Sequence, residues 1–85
     1  MESATVKVLN PMSTARERIS AGVLCRDGAG ATIRLEQPLL VGATIQIRFN
    51  DGIALGEIRS CSAADGQFDL AVLFQDVLPT GDKPQ

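Results

Sequence analysis

Residues 43–61 read ATIQIRFNDGIALGEIRSC, and this stretch decides the fold. Its first seven residues alternate apolar with polar side chains, which is the period of a half-buried β-strand. The letters NDG that follow mark a tight hairpin turn. The aliphatic phase then changes between Leu55 and Ile58, with Gly56 at the slip. That change indicates a β-bulge, a feature that bends strands so that a sheet can close.

The same period-two alternation recurs along the chain, whereas helical spacing is never sustained for three turns. It predicts six strands, at residues 4–10, 16–25, 31–36, 43–50, 53–61 and 67–76. A chain of 85 residues is the length of one domain and is too short to cover two separate sheets. Because closure also removes exposed sheet edges, we predict an all-β fold, a six-stranded antiparallel β-barrel over residues 1–78. Residues 79–85 are polar and Pro-containing, and are predicted to form a disordered tail.

Composition narrows the range of functions. Hydrophobic residues make up 45% and charged residues 21% of the chain, as in a globular protein. Eight Lys and Arg stand against ten Asp and Glu, and this net charge of −2 argues against binding of a nucleic-acid polymer. There is no histidine, so we expect no His-based triad and no zinc site. We also expect no cofactor. No apolar run approaches a membrane span and no signal peptide is evident, so the chain is expected to be cytoplasmic, without membrane contact.

The remaining chemical groups give little support to an enzyme. Cys25 and Cys61 lie on positions that strand alternation places inward, so they are interpreted as two small buried hydrophobes. A disulfide or a redox pair is the alternative for them. The carboxylates Asp65, Asp69 and Asp76 lie near the last strand without a nucleophile or an orienting partner. We therefore expect a binding domain, not a catalyst.

Three stretches of the chain carry a resemblance to a known family. They are GATIRLEQPLLVGATIQIRF, GEIRSC and GQFDLAVLF, and they follow a strand that ends in a Gly-bearing turn. In this layout, over about residues 4–78, the chain resembles a PilZ domain. The resemblance implies a six-stranded antiparallel β-barrel that binds the bacterial second messenger cyclic di-GMP and relays the signal to a partner domain or protein.

The resemblance also implies where a ligand would bind. The family uses an R-x-x-x-R arm before the first strand and a D/N-x-S-x-x-G turn. Here the turn reads CRDGAG at residues 25–30, which keeps the glycine and puts an Asp in the Ser place. The arm is absent in register, and the nearest arginines follow the first strand with the spacing R-x-R. The implied ligand-binding residues are Arg16, Arg18, Arg26, Asp27 and Gly30.

Other interpretations of these residues stay open. The arginines are also typical of a solvated strand face, and an Asp before Gly commonly just forms a turn. The family includes degenerate members that bind no nucleotide and act through protein contacts. Such an adaptor would use exposed aliphatic residues, with Leu39, Leu40 and Leu78 as candidates, and self-association is one form of it. The oligomeric state is left open by the sequence.

Overall fold

The computed structural model describes residues 2–10 and 18–79, and it is built from strands alone over those ranges. The strands are Glu2–Asn10 (β1), Ile19–Arg26 (β2), Gly30–Leu35 (β3), Thr44–Arg48 (β4), Gly52–Ala64 (β5) and Gln67–Pro79 (β6). All neighbours pair antiparallel, and they close into a barrel in the order β1-β2-β3-β6-β5-β4. The predicted fold class is therefore confirmed. In the described part of the chain, no helix is long and apolar enough to cross a membrane.

An aliphatic core fills the barrel. It is built by the inward positions of all six strands, and its largest fully buried side chains are Ile33, Leu35, Ile45, Ile47, Ile58, Leu70 and Val6. Val72 belongs to the same cluster, and Phe74 packs against it. These contacts confirm that the alternating faces of separate strands meet in one interior. Among the described residues, no polar or charged residue is buried in it.

The tight turn predicted at residues 50–52 is present, and so is a second one at Asp65-Gly66, a pair of letters that also predicts a hairpin turn. At the β4–β5 turn the Phe49 N–H donates to the Gly52 carbonyl at 2.8 Å. At the β5–β6 turn, Asp65 and Gly66 have φ angles of 53° and 78°. Positive φ at both central residues is the geometry of a type I′ turn, which suits the right-handed twist of a hairpin and favours the sequence Asp-Gly.

The bulge predicted at Gly56 is confirmed as a register shift, but its details differ. Leu55 pairs with Asp76 and Gly56 with Phe74, so the extra residue is Gln75 on β6. Burial along β5 does not change phase: Ala54, Gly56 and Ile58 are all inward. The small residues face the core there, and Ile53 and Leu55 are half-buried on the other face.

The expected burial of Cys25 is wrong, because β2 carries a bulge that the sequence did not reveal. Val23 pairs with Ile33 and Cys25 with Thr32, which leaves Leu24 as the extra residue. The extra residue turns Cys25 outward, where it is exposed, whereas Cys61 is half-buried against the core. Both thiols are free.

The strand bounds shift by a few residues at most. β5 and β6 are longer than predicted, and β6 extends through Pro79, which pairs with Gly52. The predicted tail therefore begins one residue too early, and residues 80–85 lie outside the described ranges. The predicted start of the second strand at Arg16 also lies outside them.

Candidate functional site

The β2–β3 turn is held together by Asp27. Its Oδ1 accepts hydrogen bonds from the backbone N–H groups of Ala29, at 2.7 Å, and Gly30, at 3.0 Å. The Asp27 N–H in turn donates to the Gly30 carbonyl at 2.9 Å. Asp27 therefore performs the turn-forming role that an Asp before Gly commonly has. Among the described residues, its Oδ2 makes no hydrogen bond.

Gly30 is required by a close approach between β3 and β6. A Cβ at this position would lie well inside van der Waals contact of the Val72 carbonyl oxygen. Gly56, on the other side of β6, is under the same constraint, since its Cβ would lie 2.7 Å from the Leu73 carbonyl oxygen. The two glycines let β3 and β5 both approach the Val72–Leu73 backbone of β6 closely. The glycine that carries the family resemblance therefore has a structural function of its own.

Arg26 is fixed by three contacts at the same end of the barrel. Its Nη2 donates to Asp51 Oδ1 at 2.8 Å, and its Nε lies 3.3 Å from Glu2 Oε1. Its guanidinium also stacks over the Phe49 ring, 4.2 Å from the centroid, in a cation–π contact. The hydrogen bond from Arg26 lowers the pKa of Asp51 below its ordinary value. Two carboxylates thus already neutralise Arg26.

The implied binding residues do not all converge. Arg26, Asp27 and Gly30 lie together at the β2–β3 turn. Arg18 lies at the other end of β2, where it donates to Gln46 Oε1 at 3.1 Å. Arg18 and Arg26 are eight positions apart along an extended segment, a span of about 26 Å. Arg16 lies outside the described residues.

A cleft lies beside the turn, between β2–β3 and the part of β5–β6 that contains Arg59 and residues 71–73, and we call it the turn cleft. Its volume is about 400 Å³. Its lining includes Cys25, Arg26, Asp27, Gly30, Thr32 and Arg59. Within residues 2–10 and 18–79, the Arg59 guanidinium has no carboxylate partner. The turn cleft therefore presents one unpaired cation next to a backbone turn.

Sequence reasoning missed Arg59 as a site residue. Ile58 pairs with Val72 and Ser60 with Ala71, which makes Arg59 the extra residue of a second bulge in β5. Bulges re-aim side chains, and this one places Arg59 along the wall of the turn cleft. The alternation of residues 53–61 does not predict this bulge, because the small residues that follow Arg59 show no clear alternation of apolar and polar side chains.

A larger concavity, about 730 Å³, lies on the outer face of β1, β2 and β3. Its floor consists of small residues such as Ser3 and Gly22, and Arg34 and Arg48 stand at its sides. Arg34 is bound by Asp69 through two hydrogen bonds of 2.7 and 3.1 Å, which raises the pKa of Arg34 and lowers that of Asp69. Among the described residues, each of the two clefts thus has one paired and one unpaired arginine. The turn cleft is the better candidate site because Arg26, Asp27 and Gly30 line it, whereas none of the implied residues that the structure describes lines the larger concavity.

The aliphatic residues considered for protein contacts divide into two groups. Leu40 and Leu78 are 67% and 51% exposed, as expected. The expected exposure of Leu39 is wrong, because its side chain is half-buried and packs against the core. Leu73 and Val77 on β6 are exposed as well, at 44% and 51%. Among the described strands, β6 therefore carries three large exposed aliphatic residues, Leu73, Val77 and Leu78.

No protein-family model, no curated protein and no solved structure matches the chain.

Proposed function

We propose that this chain is a PilZ-like regulatory binding domain, not an enzyme. Its ligand would be cyclic di-GMP, bound at the turn cleft, and its output would be a contact with a partner protein in the bacterial cytoplasm. The barrel topology and the glycine-bearing turn support the proposal at the level of architecture. The choice of ligand rests on the resemblance of the sequence.

The observation that carries the ligand proposal is the juxtaposition of Arg59 and the turn. An arginine presents five donors in a planar fork that fits a phosphate, and Arg59 has no carboxylate partner within the described ranges. Asp27 keeps Oδ2 available to accept the N–H donors of a guanine edge. Arg26 stands at the mouth of the same cleft. Together these groups offer one phosphate contact and one base contact.

Weak affinity is expected from the same geometry. Arg26 shares its charge with Glu2 and Asp51, so a phosphate must compete with two carboxylates for it. Arg18 is a full strand length away and adds nothing at this cleft. We expect a dissociation constant near the millimolar range, where the binding free energy is about −4 kcal/mol.

Isothermal titration calorimetry of the full chain with millimolar cyclic di-GMP tests the proposal. We expect measurable heat for the wild type and a loss of most of it for Arg59→Ala, since the unpaired phosphate contact is removed. Arg48→Ala is the matched control, because Arg48 is an exposed arginine on another face and should leave the heat unchanged. Absence of heat in the wild type, or equal heat in both variants, would reject the site.

A degenerate adaptor that binds no nucleotide is the second candidate. It is favoured by one observation: Arg26 and Oδ1 of Asp27, two of the groups a nucleotide would need, are already engaged within the chain. This candidate predicts that cyclic di-GMP gives no heat while the exposed part of β6 still binds protein. The two candidates therefore differ in the calorimetric result alone.

A further inference from the structure

The last part of β6 has an edge that none of the described strands pairs with. β3 pairs with β6 only as far as Leu73, opposite Gly30. One further hydrogen bond follows, from the Phe74 N–H to the Ala29 carbonyl at 2.8 Å. Beyond it β6 continues to Pro79, and within the described ranges its only strand partner there is β5. Alternate backbone groups on the other side of this segment are thus available for an added strand.

An apolar cleft lies along this unpaired edge, and we call it the edge cleft. Its volume is about 430 Å³, and its apolar lining includes Phe49, Phe74, Val77 and Leu78. Phe49 and Phe74 meet edge to face, with ring centroids 6.1 Å apart. Because Arg26 also stacks on Phe49, the cleft is bounded by side chains that are held in place. Val77 and Leu78 both line the cleft and are both 51% exposed, and exposed apolar surface gathered in one place commonly marks an interaction site.

The charges around the edge cleft are acidic. Arg26, Asp27 and Asp51 line it, so one cation stands against two carboxylates. That cation is already paired with Asp51 and also contacts Glu2, which lies outside the cleft. Asp76 precedes the exposed pair on β6 and is exposed itself. A partner that fits here needs apolar side chains for the cleft and positive charge for its rim.

We propose that the edge cleft docks an extended segment of a partner protein, with aliphatic side chains alternating with lysine or arginine. The segment adds a strand to β6: its backbone pairs with residues 75–78, its aliphatic side chains enter the cleft beside Val77, and its cations lie on the alternate face beside Asp76. Main-chain pairing supplies affinity in this mode and the pockets supply specificity. The inference rests on the partner-binding half of the proposed function and does not require that a nucleotide binds, although Arg26 and Asp27 line both clefts.

An NMR titration of the full ¹⁵N-labelled chain tests the inference. The probe is the capped hexapeptide Val-Lys-Val-Lys-Val-Lys, and its matched control is Val-Glu-Val-Glu-Val-Glu. We expect saturable shifts of the amides of residues 74–78 and of Phe49 with the lysine peptide. The glutamate peptide should bind at least about tenfold more weakly, because like charges across an interface repel. Equal binding of the two peptides, or shifts elsewhere, would overturn the proposal.

Two variants complete the experiment. Val77→Ser should weaken the lysine peptide about tenfold, because it removes apolar contact without adding a charge that lysines would attract. Leu40→Ser, the same kind of change at a residue that is 67% exposed in the connection between β3 and β4, should have no effect. If sedimentation velocity instead shows a dimer that Val77→Ser dissociates, the occupant is a second copy and the proposal is wrong. Calorimetry with cyclic di-GMP should be unchanged in Val77→Ser, so a loss of peptide binding in this variant is distinguishable from a failure of the turn cleft.

Discussion

The two glycines of the β2–β3 turn, Gly28 and Gly30, are present for different structural reasons. Gly30 lacks a side chain because the Val72 carbonyl occupies the space that a Cβ would need. Gly28, two residues earlier in the same turn, has nothing within 4 Å of its Cβ position. The sequence shows two glycines in one turn, but only the backbone of a distant strand distinguishes them.

Gly30→Ala should therefore destabilise the protein, and Gly28→Ala should not. Overpacking against a fixed backbone commonly costs about 1–3 kcal/mol, and we expect the upper part of that range or more for Gly30→Ala. Gly28→Ala meets open space at a φ that is not positive, so the free energy of unfolding should stay unchanged or rise by up to about 1 kcal/mol. Urea denaturation of both variants measures the difference. Equal losses would contradict the close approach of β3 and β6.

Among the elements, the β3–β6 pair carries the best-formed ion pair of the described chain. Arg34 and Asp69 stand directly opposite each other in the register and are joined by two hydrogen bonds. The bond from Arg34 lowers the pKa of Asp69 below its usual value. Since the folded state holds the ionised carboxylate more firmly than the unfolded chain does, the pair stabilises the fold above the ordinary Asp pKa of about 3.9.

That contribution should be lost as pH falls from about 4 through the lower pKa of folded Asp69. We expect Arg34→Gln to reduce the loss of unfolding free energy between neutral pH and pH 2 to 3, because the carboxylate no longer has its partner. Urea denaturation at several pH values gives the slope. Arg48→Gln removes an exposed arginine without a carboxylate partner in the described ranges, and its slope should equal that of the wild type.

Much of the element layout followed from the sequence, and the exceptions have one cause. All six strands and both tight turns were predictable from alternation and from the letters NDG and DG, since both are local signals. The outward turn of Cys25, the burial along β5 and the position of Arg59 were not. Each depends on a bulge, and a bulge is defined by the register between two strands that are distant in sequence.

For the whole molecule, stability depends on an aliphatic interior shared by all six strands. Ile33→Ala should lower the free energy of unfolding by about 2–5 kcal/mol, because it leaves a cavity at a position with 0% exposure. For a domain this small that is a large part of the total. Leu40→Ala, at 67% exposure, should change it by less than about 0.5 kcal/mol. Chemical denaturation followed by far-ultraviolet circular dichroism compares them, and similar midpoints would contradict the shared interior.

The strand order sets the sequence of events when a ribosome makes this chain. β1 pairs with β2 but also with β4, and β3 pairs with β2 but also with β6. Synthesis runs from the N-terminus, so the first three strands can form a sheet before the others are made. The outer edges of β1 and β3 then stay unpaired until β4 and β6 emerge. The nascent chain thus exposes unpaired strand edges that closure of the barrel later covers. Slow translation between β3 and β6 would prolong the exposure of these edges to other chains.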